Sequence, residues 1–367
     1  MLTALLLIDR LRPAAPTALL ALSSLPYAIA ATSVGVLTAF VPKSLFVRID
    51  NAMYSTYQRL VLFVFENFSG VKLSLYGDVE ECLDKPESIL FICNHQCTVD
   101  WVVADMLAIR QGTLGALRYV LKDTLQYVPL FGWYFYQRGC MYVNRHGFDE
   151  SLTVRELQYL KNMALPFWLV LFPEGTRYSK KKPAAIEKSQ QFAESRHLEV
   201  LENVLTPKAR GLLIAINQLR SSLDAIYDVT IAYEQTRMAG RRGIAPNMFE
   251  FCCGTMARKR LHLHVERIPI AAVPTDDAGV RQWLHQRFVK KDELMEQFYK
   301  SPPDSAAFPA LVVEESCLPI SSTICSLVLF SASLLPPILS ARWRKYYAIG
   351  YASGSVGLLV WLKIRRH

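Results

Sequence analysis

Between residues 70 and 298, short apolar runs alternate with helical patterns, and this alternation most constrains how the chain can fold. The runs are short and rich in β-prone residues, so we interpret them as buried strands. The strand candidates are residues 71–76, 89–93, 118–121, 140–143, 167–172, 212–216, 225–233 and 261–267. Helical patterns occupy residues 101–111, 150–164 and 189–201. Strands that alternate with helices predict an α/β fold whose mixed, mostly parallel sheet is covered by helices on both faces.

The amino-terminal region is predicted to enter a membrane. Hydrophobic residues make up 51% of the chain, and no charged residue occurs between Pro13 and Pro42. Since about 20 apolar residues span a bilayer core, this segment predicts a membrane helix. A shallow, non-spanning anchor and a buried hydrophobic hairpin are the alternatives. Residues 50–68 then show an aromatic-rich helical pattern that would lie at the membrane interface or against the core.

The carboxyl-terminal region has a similar character. Residues 317–341 and 346–362 are uncharged, and the run Arg342-Trp343-Arg344-Lys345 separates them. Two apolar segments joined by a basic turn predict a membrane hairpin, although a basic turn and a basic tail together give no orientation. We therefore divide the chain into a membrane-embedded helical region (residues 1–69), a globular domain (70–300), and a linker with a membrane hairpin (301–367).

The charge balance points to an anionic partner. The formal net charge is +9, and basic runs occur at residues 180–182, 237–242 and 258–260. Such runs are typical of solvated loops, or of surfaces that face anionic lipid headgroups or a polyphosphate. No nucleic-acid recognition module accompanies them, so we predict no nucleic-acid partner.

Neither cysteines nor histidines predict a metal centre or a disulfide framework. The eight cysteines are scattered without a Cys-x-x-Cys pair, which fits a reducing compartment. His262 and His264 alternate along one face of a predicted strand. This pattern allows a metal pair, but solvent-facing strand histidines are commoner, and we predict no metal site.

The stretch Asn94-His95-Gln96-Cys97-Thr98-Val99-Asp100 carries the strongest chemical signal. The strand at residues 89–93 ends just before His95, and Thr98 is positioned to cap the following helix. His95 would then lie at the carboxyl end of a strand, where open α/β sheets bind ligands. Asp100 would lie in the first helical turn, where the dipole favours a carboxylate. The two side chains are predicted to meet as a base and its orienting partner.

Three further cations are predicted near this edge of the sheet. Arg145 follows the strand at 140–143, Arg177 follows the strand at 167–172, and Lys122 follows the strand at 118–121. Arginine binds phosphate through bidentate, charge-assisted hydrogen bonds, so this set predicts a phosphate-bearing substrate. Gly175 would let the main chain approach that ligand closely.

Four stretches in this order, NHQCTVD, GCMYVNR, FPEGTR and VLTPK, resemble the motif blocks of the glycerolipid acyltransferases. The stretches LDAIYDVTIAYE and WLHQRFVKKDELMEQFY are similar to the animal 1-acylglycerol-3-phosphate acyltransferase subgroup, which includes lysocardiolipin enzymes. LYGD and DWVVADMLAIRQ look closest to its epsilon isoform, and the similarity covers roughly residues 65–299. One position departs from the pattern, because Cys97 stands where serine is usual.

The resemblance implies the glycerolipid acyltransferase fold for residues 70–300 and transfer of an acyl group from acyl-CoA to the sn-2 hydroxyl of lysophosphatidic acid. His95 would be the general base, oriented by Asp100. The substrate-binding residues that it implies are Asn94, Lys122, Arg145, Glu174, Gly175, Thr176, Arg177 and Pro207. Coenzyme A thiolate leaves readily, so acyl-CoA would act as co-substrate and no metal or other cofactor is expected.

Several alternatives stay open at this point. The acceptor could instead be lysocardiolipin or lysophosphatidylinositol, or the chain could be a catalytically silent, lipid-binding membrane scaffold. The thiol of Cys97, two residues from His95, could carry the acyl group, although direct attack by a hydroxyl needs no such intermediate. The resemblance implies a multi-pass protein of the endoplasmic reticulum, with the mitochondrial outer membrane and the nuclear envelope as alternatives.

Overall fold

In a computed structural model of the chain, the structure describes residues 14–37, 41–144, 150–163, 165–238, 241–302, 305, 307–308 and 314–366. In chain order the strands are β1 (Lys72–Gly77), β2 (Ile89–Cys93), β3 (Leu117–Lys122), β4 (Met141–Val143), β5 (Trp168–Leu171), β6 (Ala225–Tyr233), β7 (Arg237–Met238), β8 (Arg241–Arg242), β9 (Arg260–Pro269) and β10 (Glu314–Ser316). The helices are α1 (Ala15–Leu37), α2 (Lys43–Leu62), α3 (Val79–Asp84), α4 (Asp100–Gln111), α5 (Phe131–Gln137), α6 (Glu150–Lys161), α7 (Pro183–Ser195), α8 (Ala209–Leu219), α9 (Met248–Cys252), α10 (Asp277–Lys300), α11 (Ile324–Ser333), α12 (Leu335–Leu339) and α13 (Ala341–Arg366).

A single sheet of eight strands organises the fold, in the order β10-β1-β9-β6-β2-β5-β3-β4. The pairs β1–β10 and β6–β9 are antiparallel, and the other five neighbouring pairs are parallel. The short strands β7 and β8 form a separate hairpin. The predicted mixed, mostly parallel sheet is therefore confirmed.

Helices cover both faces of this sheet, as predicted. Alternate residues of β2 point to opposite faces, so Phe91 joins one apolar cluster with residues of α2 and α4, while Ile92 joins another with residues of α6, α8 and α10. All five residues of β2 are buried. Burying a large apolar side chain stabilises a fold by about 1.5–3 kcal/mol. The end of β2 is therefore a rigid platform for the residues that follow it.

One predicted strand is wrong. Residues 212–216 belong to α8, where Leu212, Leu213, Ile216 and Leu219 are buried at helical spacing. A short, continuous apolar run reads alike as a buried strand or as the inner face of a buried helix, so periodicity did not separate them. The helix predicted at residues 189–201 also begins earlier, with Pro183 in its first turn, and ends at Ser195.

The amino-terminal helices pack against the globular part. Among the described residues, α1 is the one helix that is long and apolar enough by itself to cross a bilayer. Tyr27 of α1 stacks on Tyr57 of α2 with ring centroids 4.2 Å apart. α2 continues into the π-helical turn Phe63–Phe68, and both contribute buried residues to the core. Of the two locations predicted for residues 50–68, the structure supports the core.

The turn predicted for the carboxyl-terminal hairpin is wrong. The basic run at residues 342–345 lies inside α13, and the chain instead bends by 111° at Ser340, between α12 and α13. By length and composition, this bent pair accounts for at most one further membrane span among the described residues. The segment predicted as a linker also supplies β10, which pairs with β1, so the sheet extends beyond residue 300.

Candidate active site

His95 and Asp100 flank the loop that follows the central strand β2. Parallel neighbours β5 and β6 lie on either side of β2, so its carboxyl end opens at the middle of the sheet edge. Nδ1 of His95 lies 2.7 Å from Oδ2 of Asp100, and the predicted contact between the two side chains is present. Asp100 is fully buried, whereas 19% of the His95 side chain is exposed. This pair therefore has one protected carboxylate and one accessible imidazole.

The carboxylate of Asp100 organises the whole loop. Oδ2 also accepts the main-chain N–H groups of Gln96 (2.6 Å) and Cys97 (3.0 Å). Oδ1 accepts the hydroxyl of Tyr233 at 2.5 Å. The expected cap at Thr98 is a wrong prediction: the residue before α4 is Val99, and no side chain caps the helix from outside. Asp100 bends back from the first turn and takes the loop N–H groups itself.

These donors keep Asp100 ionised. Burial by itself would raise the pKa of its carboxyl, but hydrogen bonds from His95, Tyr233 and Cys97 outweigh burial and lower the pKa below its ordinary value. An ionised carboxylate only accepts hydrogen bonds, so Nδ1 of His95 must carry a proton. In the neutral imidazole with this tautomer, Nε2 has a free lone pair, which is the form that a general base requires. The ring of Phe172 packs on the imidazole with centroids 4.5 Å apart.

The stretch FPEGTR, after β5, and the next residue, Tyr178, hold the main chain of His95 from both sides. The N–H of His95 donates to Oε1 of Glu174, and the N–H of Tyr178 donates to the carbonyl of His95, each at 2.8 Å. Glu174 is only 2% exposed. Burial raises the pKa of its carboxyl to about 8. Glu174 is therefore mainly uncharged at neutral pH, and its side chain contacts the main-chain N–H of His95.

The structure brings three of the four sequence blocks together. The N–H of Lys208 donates to the carbonyl of Pro173 at 2.8 Å, which joins VLTPK to FPEGTR. Pro207 is buried in this junction. Gly175 has φ of +67°, a conformation that side chains with a Cβ rarely adopt. Thr176 and Arg177 follow it and are partly exposed.

The remaining predicted residues have different positions. The side-chain amide of Asn94 bonds both the carbonyl (3.0 Å) and the N–H (2.7 Å) of Ile231 on β6, so it ties two strands together at the site. Lys122 is exposed at the end of β3, which is separated from β2 by β5. Arg145 lies outside the described residues. The prediction that Lys122 and Arg145 contact a phosphate stays a prediction.

Sequence reasoning missed Tyr233. It ends β6, whose parallel pairing with β2 brings its hydroxyl to Asp100 across 133 positions of sequence. The available signal was its location at the end of the strand in LDAIYDVTIAYE, but strand pairing was needed to place it.

Cys97 is poorly suited to nucleophilic attack. The residue is 4% exposed, and its thiol lies 3.0 Å from both Oδ1 of Asp100 and the hydroxyl of Tyr233. Burial raises the pKa of the thiol well above its ordinary value, and the charge of Asp100 raises it further. The reactive form of cysteine is the thiolate, which these surroundings disfavour. The thiol instead contributes a hydrogen bond to the Asp100 carboxylate.

Solvent-facing positions were the commoner expectation for the two strand histidines, but one of them is buried. His262 is buried, with Nδ1 3.0 Å from the hydroxyl of Tyr76 and Nε2 2.8 Å from Oε2 of Glu234. His264 is partly buried, 3.7 Å from Glu266. No group of three metal-ligating side chains is assembled in the part of the chain that the structure describes.

A cleft of about 250 Å³ begins at the residues that follow His95. Its lining includes Gln96, Cys97 and Thr98 on one side and residues 242–247 on another. Five cationic side chains also line it: Arg177, Lys180, Lys181, Lys182 and Arg242. No acidic residue is among the described residues of the lining. We refer to this feature as the basic cleft.

Family models and individual proteins both match this chain, and both point to acyltransferases. The acyltransferase family model matches residues 78–234, and the acyltransferase C-terminus model matches residues 254–332. The chain is 40% identical over 354 residues to the 1-acyl-sn-glycerol-3-phosphate acyltransferase epsilon of Mus musculus, covering 95% of each chain.

More distant similarities were also found. Lysocardiolipin acyltransferase 1 of Danio rerio is 29% identical, over 76% of this chain and 69% of that protein. The crystal structure of the 1-acyl-sn-glycerophosphate acyltransferase of Thermotoga maritima matches with a TM-score of 0.42 and 16% identity, over 78% of this chain and 97% of that one. On the strength of the near full-length match at 40% identity, this chain belongs to the 1-acyl-sn-glycerol-3-phosphate acyltransferase family and is an acyltransferase.

Proposed function

We propose that this protein transfers a fatty acyl group from acyl-CoA to the sn-2 hydroxyl of lysophosphatidic acid, giving phosphatidic acid. The relative with the highest identity among those described is named for an acyltransferase of 1-acyl-sn-glycerol-3-phosphate. The single observation that carries the chemistry is the 2.7 Å contact between Nδ1 of His95 and Asp100, which leaves Nε2 able to accept a proton.

In this proposal, Nε2 of His95 removes the proton of the acceptor hydroxyl as its oxygen attacks the thioester carbonyl. Asp100 holds the tautomer and stabilises the imidazolium that forms. The tetrahedral intermediate then collapses, the C–S bond breaks, and the departing thiolate takes the proton from the imidazolium. General-base assistance of this kind is typically worth about 10²–10⁴-fold in rate. Since a thiolate is a good leaving group, we propose that acyl-CoA is the only co-substrate and that no metal or other cofactor takes part.

The acceptor phosphate would be bound by Arg177, with Arg145 and Lys122 as further proposed contacts. Arg177 is supported by its position, because its neighbour Tyr178 bonds the main chain of His95. Glu174, Gly175, Thr176 and Pro207 would shape the pocket around it. For Asn94 we propose a positioning role, since its amide already bonds Ile231 in both directions.

Two alternatives predict different results. Lysocardiolipin or lysophosphatidylinositol is a second candidate acceptor, because one relative is named a lysocardiolipin acyltransferase. A silent lipid-binding scaffold is a third candidate, but it gives no reason for an ionised, five-donor carboxylate beside an accessible imidazole.

The substrates carry acyl chains, which supports a membrane location for the enzyme. The apolar helix α1 favours membrane association. We propose a multi-pass protein of the endoplasmic reticulum. The mitochondrial outer membrane and the nuclear envelope are the alternatives that organelle imaging of the full-length chain would separate.

The test is an acyl-transfer assay of the purified full-length protein, with a panel of lysophospholipids against a panel of acyl-CoAs. We expect the highest kcat/KM for lysophosphatidic acid, and a loss of at least about 100-fold in His95→Ala. Preference for lysocardiolipin would replace the acceptor in this proposal. Equal rates in His95→Ala and wild type would refute the mechanism.

A further inference from the structure

The basic cleft holds more positive charge than one acceptor phosphate requires. It contains five cations from two separate segments, residues 177–182 and Arg242, without an acidic residue in its described lining. Like charges that converge in one concave surface raise the local potential and attract an anion. The proposed function uses one of these five cations, Arg177, for the acceptor phosphate. The other four cations therefore lack a role in the proposed function.

Arg242 is held in place before any ligand arrives. Its guanidinium lies over the rings of Tyr178 (3.9 Å) and Tyr299 (4.8 Å). It donates to the main-chain carbonyl of Asn203 at 2.8 Å and to Oε1 of Gln96 at 3.0 Å. Gln96 is the residue next to His95. The fold thus fixes a permanent positive charge close to the loop that carries the general base.

The three lysines have a different character. Lys180, Lys181 and Lys182 are exposed on the loop before Pro183, two to four residues beyond Tyr178. Lysine is a mobile, strongly hydrated point charge, whereas arginine is a rigid fork. Mobile charges in a water-accessible position suit a flexible, hydrophilic polyanion better than a headgroup held at the bilayer.

We propose that the basic cleft binds the phosphate groups of the acyl-CoA nucleotide, with Lys180–Lys182 as its main contacts. This inference rests on the proposed function, because it presumes that acyl-CoA is the donor. Coenzyme A carries a diphosphate and a 3′-phosphate on a long flexible arm that ends in the thioester. A nucleotide anchored in a cleft that begins at Gln96 leaves the arm to deliver the thioester toward His95.

The test compares wild type with K180A/K181A/K182A as full-length proteins in phosphatidylcholine nanodiscs. Donors are acyl-CoA and acyl-3′-dephospho-CoA. For acyl-CoA we expect KM to rise about tenfold in the variant, because three proposed contacts between exposed lysines and phosphate are lost. The kcat and the KM for lysophosphatidic acid should stay within about twofold of wild type. The preference of wild type for acyl-CoA over the dephospho donor should shrink in the variant.

A matched control removes the same charge elsewhere. Lys72, Lys85 and Lys161 are exposed and do not line the basic cleft. K72A/K85A/K161A should keep the wild-type KM for both donors, which separates local binding from a general charge effect. An unchanged acyl-CoA KM in K180A/K181A/K182A, or an equal rise in the control, would overturn the inference.

Two further measurements keep this inference separate from the proposed function. Calorimetric titration with free coenzyme A should show weaker binding to K180A/K181A/K182A than to wild type, whether or not acyl transfer occurs. Coenzyme A binding that is lysine-dependent in a protein without transferase activity would retain the cleft and reject the function. Loss of flotation with phosphatidylserine vesicles at an unchanged coenzyme A affinity would assign the lysines to a lipid surface and reject the inference.

Discussion

Replacement of Tyr233 by phenylalanine tests whether the buried carboxylate of Asp100 depends on a distant strand. The Tyr233 hydroxyl donates to Oδ1 of Asp100 at 2.5 Å, and both residues are buried. Without the hydroxyl, Oδ1 keeps only the thiol of Cys97, which is a weak donor. Oδ2 keeps its contacts with His95 and the loop N–H groups.

The expected cost follows from the charge of the acceptor. A hydrogen bond to a charged group contributes about 1.5–3 kcal/mol, and a buried acceptor without solvent cannot recover it. We expect Tyr233→Phe to lower the free energy of unfolding by about 2 kcal/mol. Looser support for the imidazolium should also lower kcat/KM about tenfold, or about 1.4 kcal/mol of transition-state stabilisation.

The effect should depend on pH in a defined direction. The pKa of Asp100 lies below its ordinary value of 3.8, and Tyr233 is one of the donors that lower it. A carboxyl with a lowered pKa contributes stability above its unfolded pKa and loses it as the pH falls through the folded value. The difference in stability between wild type and Tyr233→Phe should therefore be constant near neutrality and shrink below about pH 4.

Tyr227→Phe is the matched control. Tyr227 lies on the same strand, is equally buried, and donates to the carboxylate of Glu87 at 2.8 Å. It should lower stability by a similar amount in thermal or denaturant unfolding while kcat/KM stays near wild type. Equal activity losses in the two variants, or full activity in Tyr233→Phe, would refute the reasoning about Asp100.

Three further outcomes are expected. The pKa of Glu174 is raised to about 8, so wild type should lose stability relative to Glu174→Gln as the pH rises from about 4.5 to 8. The expected loss is up to about 1.4 kcal/mol per pH unit, in unfolding measured at several pH values. Parallel stability curves of the two proteins against pH would contradict this. Cys97→Ser should keep most activity in the transfer assay, since a hydroxyl can also donate to Asp100, and inactivity with a trapped acyl-enzyme would reinstate the thiol. Arg177→Ala should raise the KM for the phosphorylated acceptor about tenfold or more, with a smaller effect on acyl-CoA, while unchanged KM values would remove Arg177 from phosphate binding.

Local patterns predicted the parts of the fold that depend on neighbouring residues. The bounds of β2 and β6 follow from continuous runs of β-prone residues, and both were predicted without error. The contact between His95 and Asp100 was predictable too, because a strand, a short loop and a first helical turn leave little freedom to their separation. The strand prediction for residues 212–216 failed because all five residues are buried in α8, so no polar residue interrupts the run to reveal a helical period.

Contacts between distant parts of the chain were beyond such reasoning. Tyr233 reaches Asp100 only because β6 lies beside β2. The main-chain role of Glu174 likewise depends on β5 being the other neighbour of β2. Arg242 enters the basic cleft from a segment that the sequence presented only as one of several basic runs. Strand order, which no local pattern contains, decides each of these positions.

The two hydrogen bonds that hold the main chain of His95 also fix its distance from the main chain of Arg177. The N–H of His95 donates to the buried side chain of Glu174, and the carbonyl of His95 accepts the main-chain N–H of Tyr178. Glu174 and Tyr178 lie on either side of Arg177 in the sequence. The distance from the base to the point where Arg177 leaves the main chain is therefore a property of the fold. Under the proposed roles, that distance selects which hydroxyl of a glycerol phosphate reaches His95 once its phosphate is bound. The order of strands in the sheet would then determine which hydroxyl is acylated.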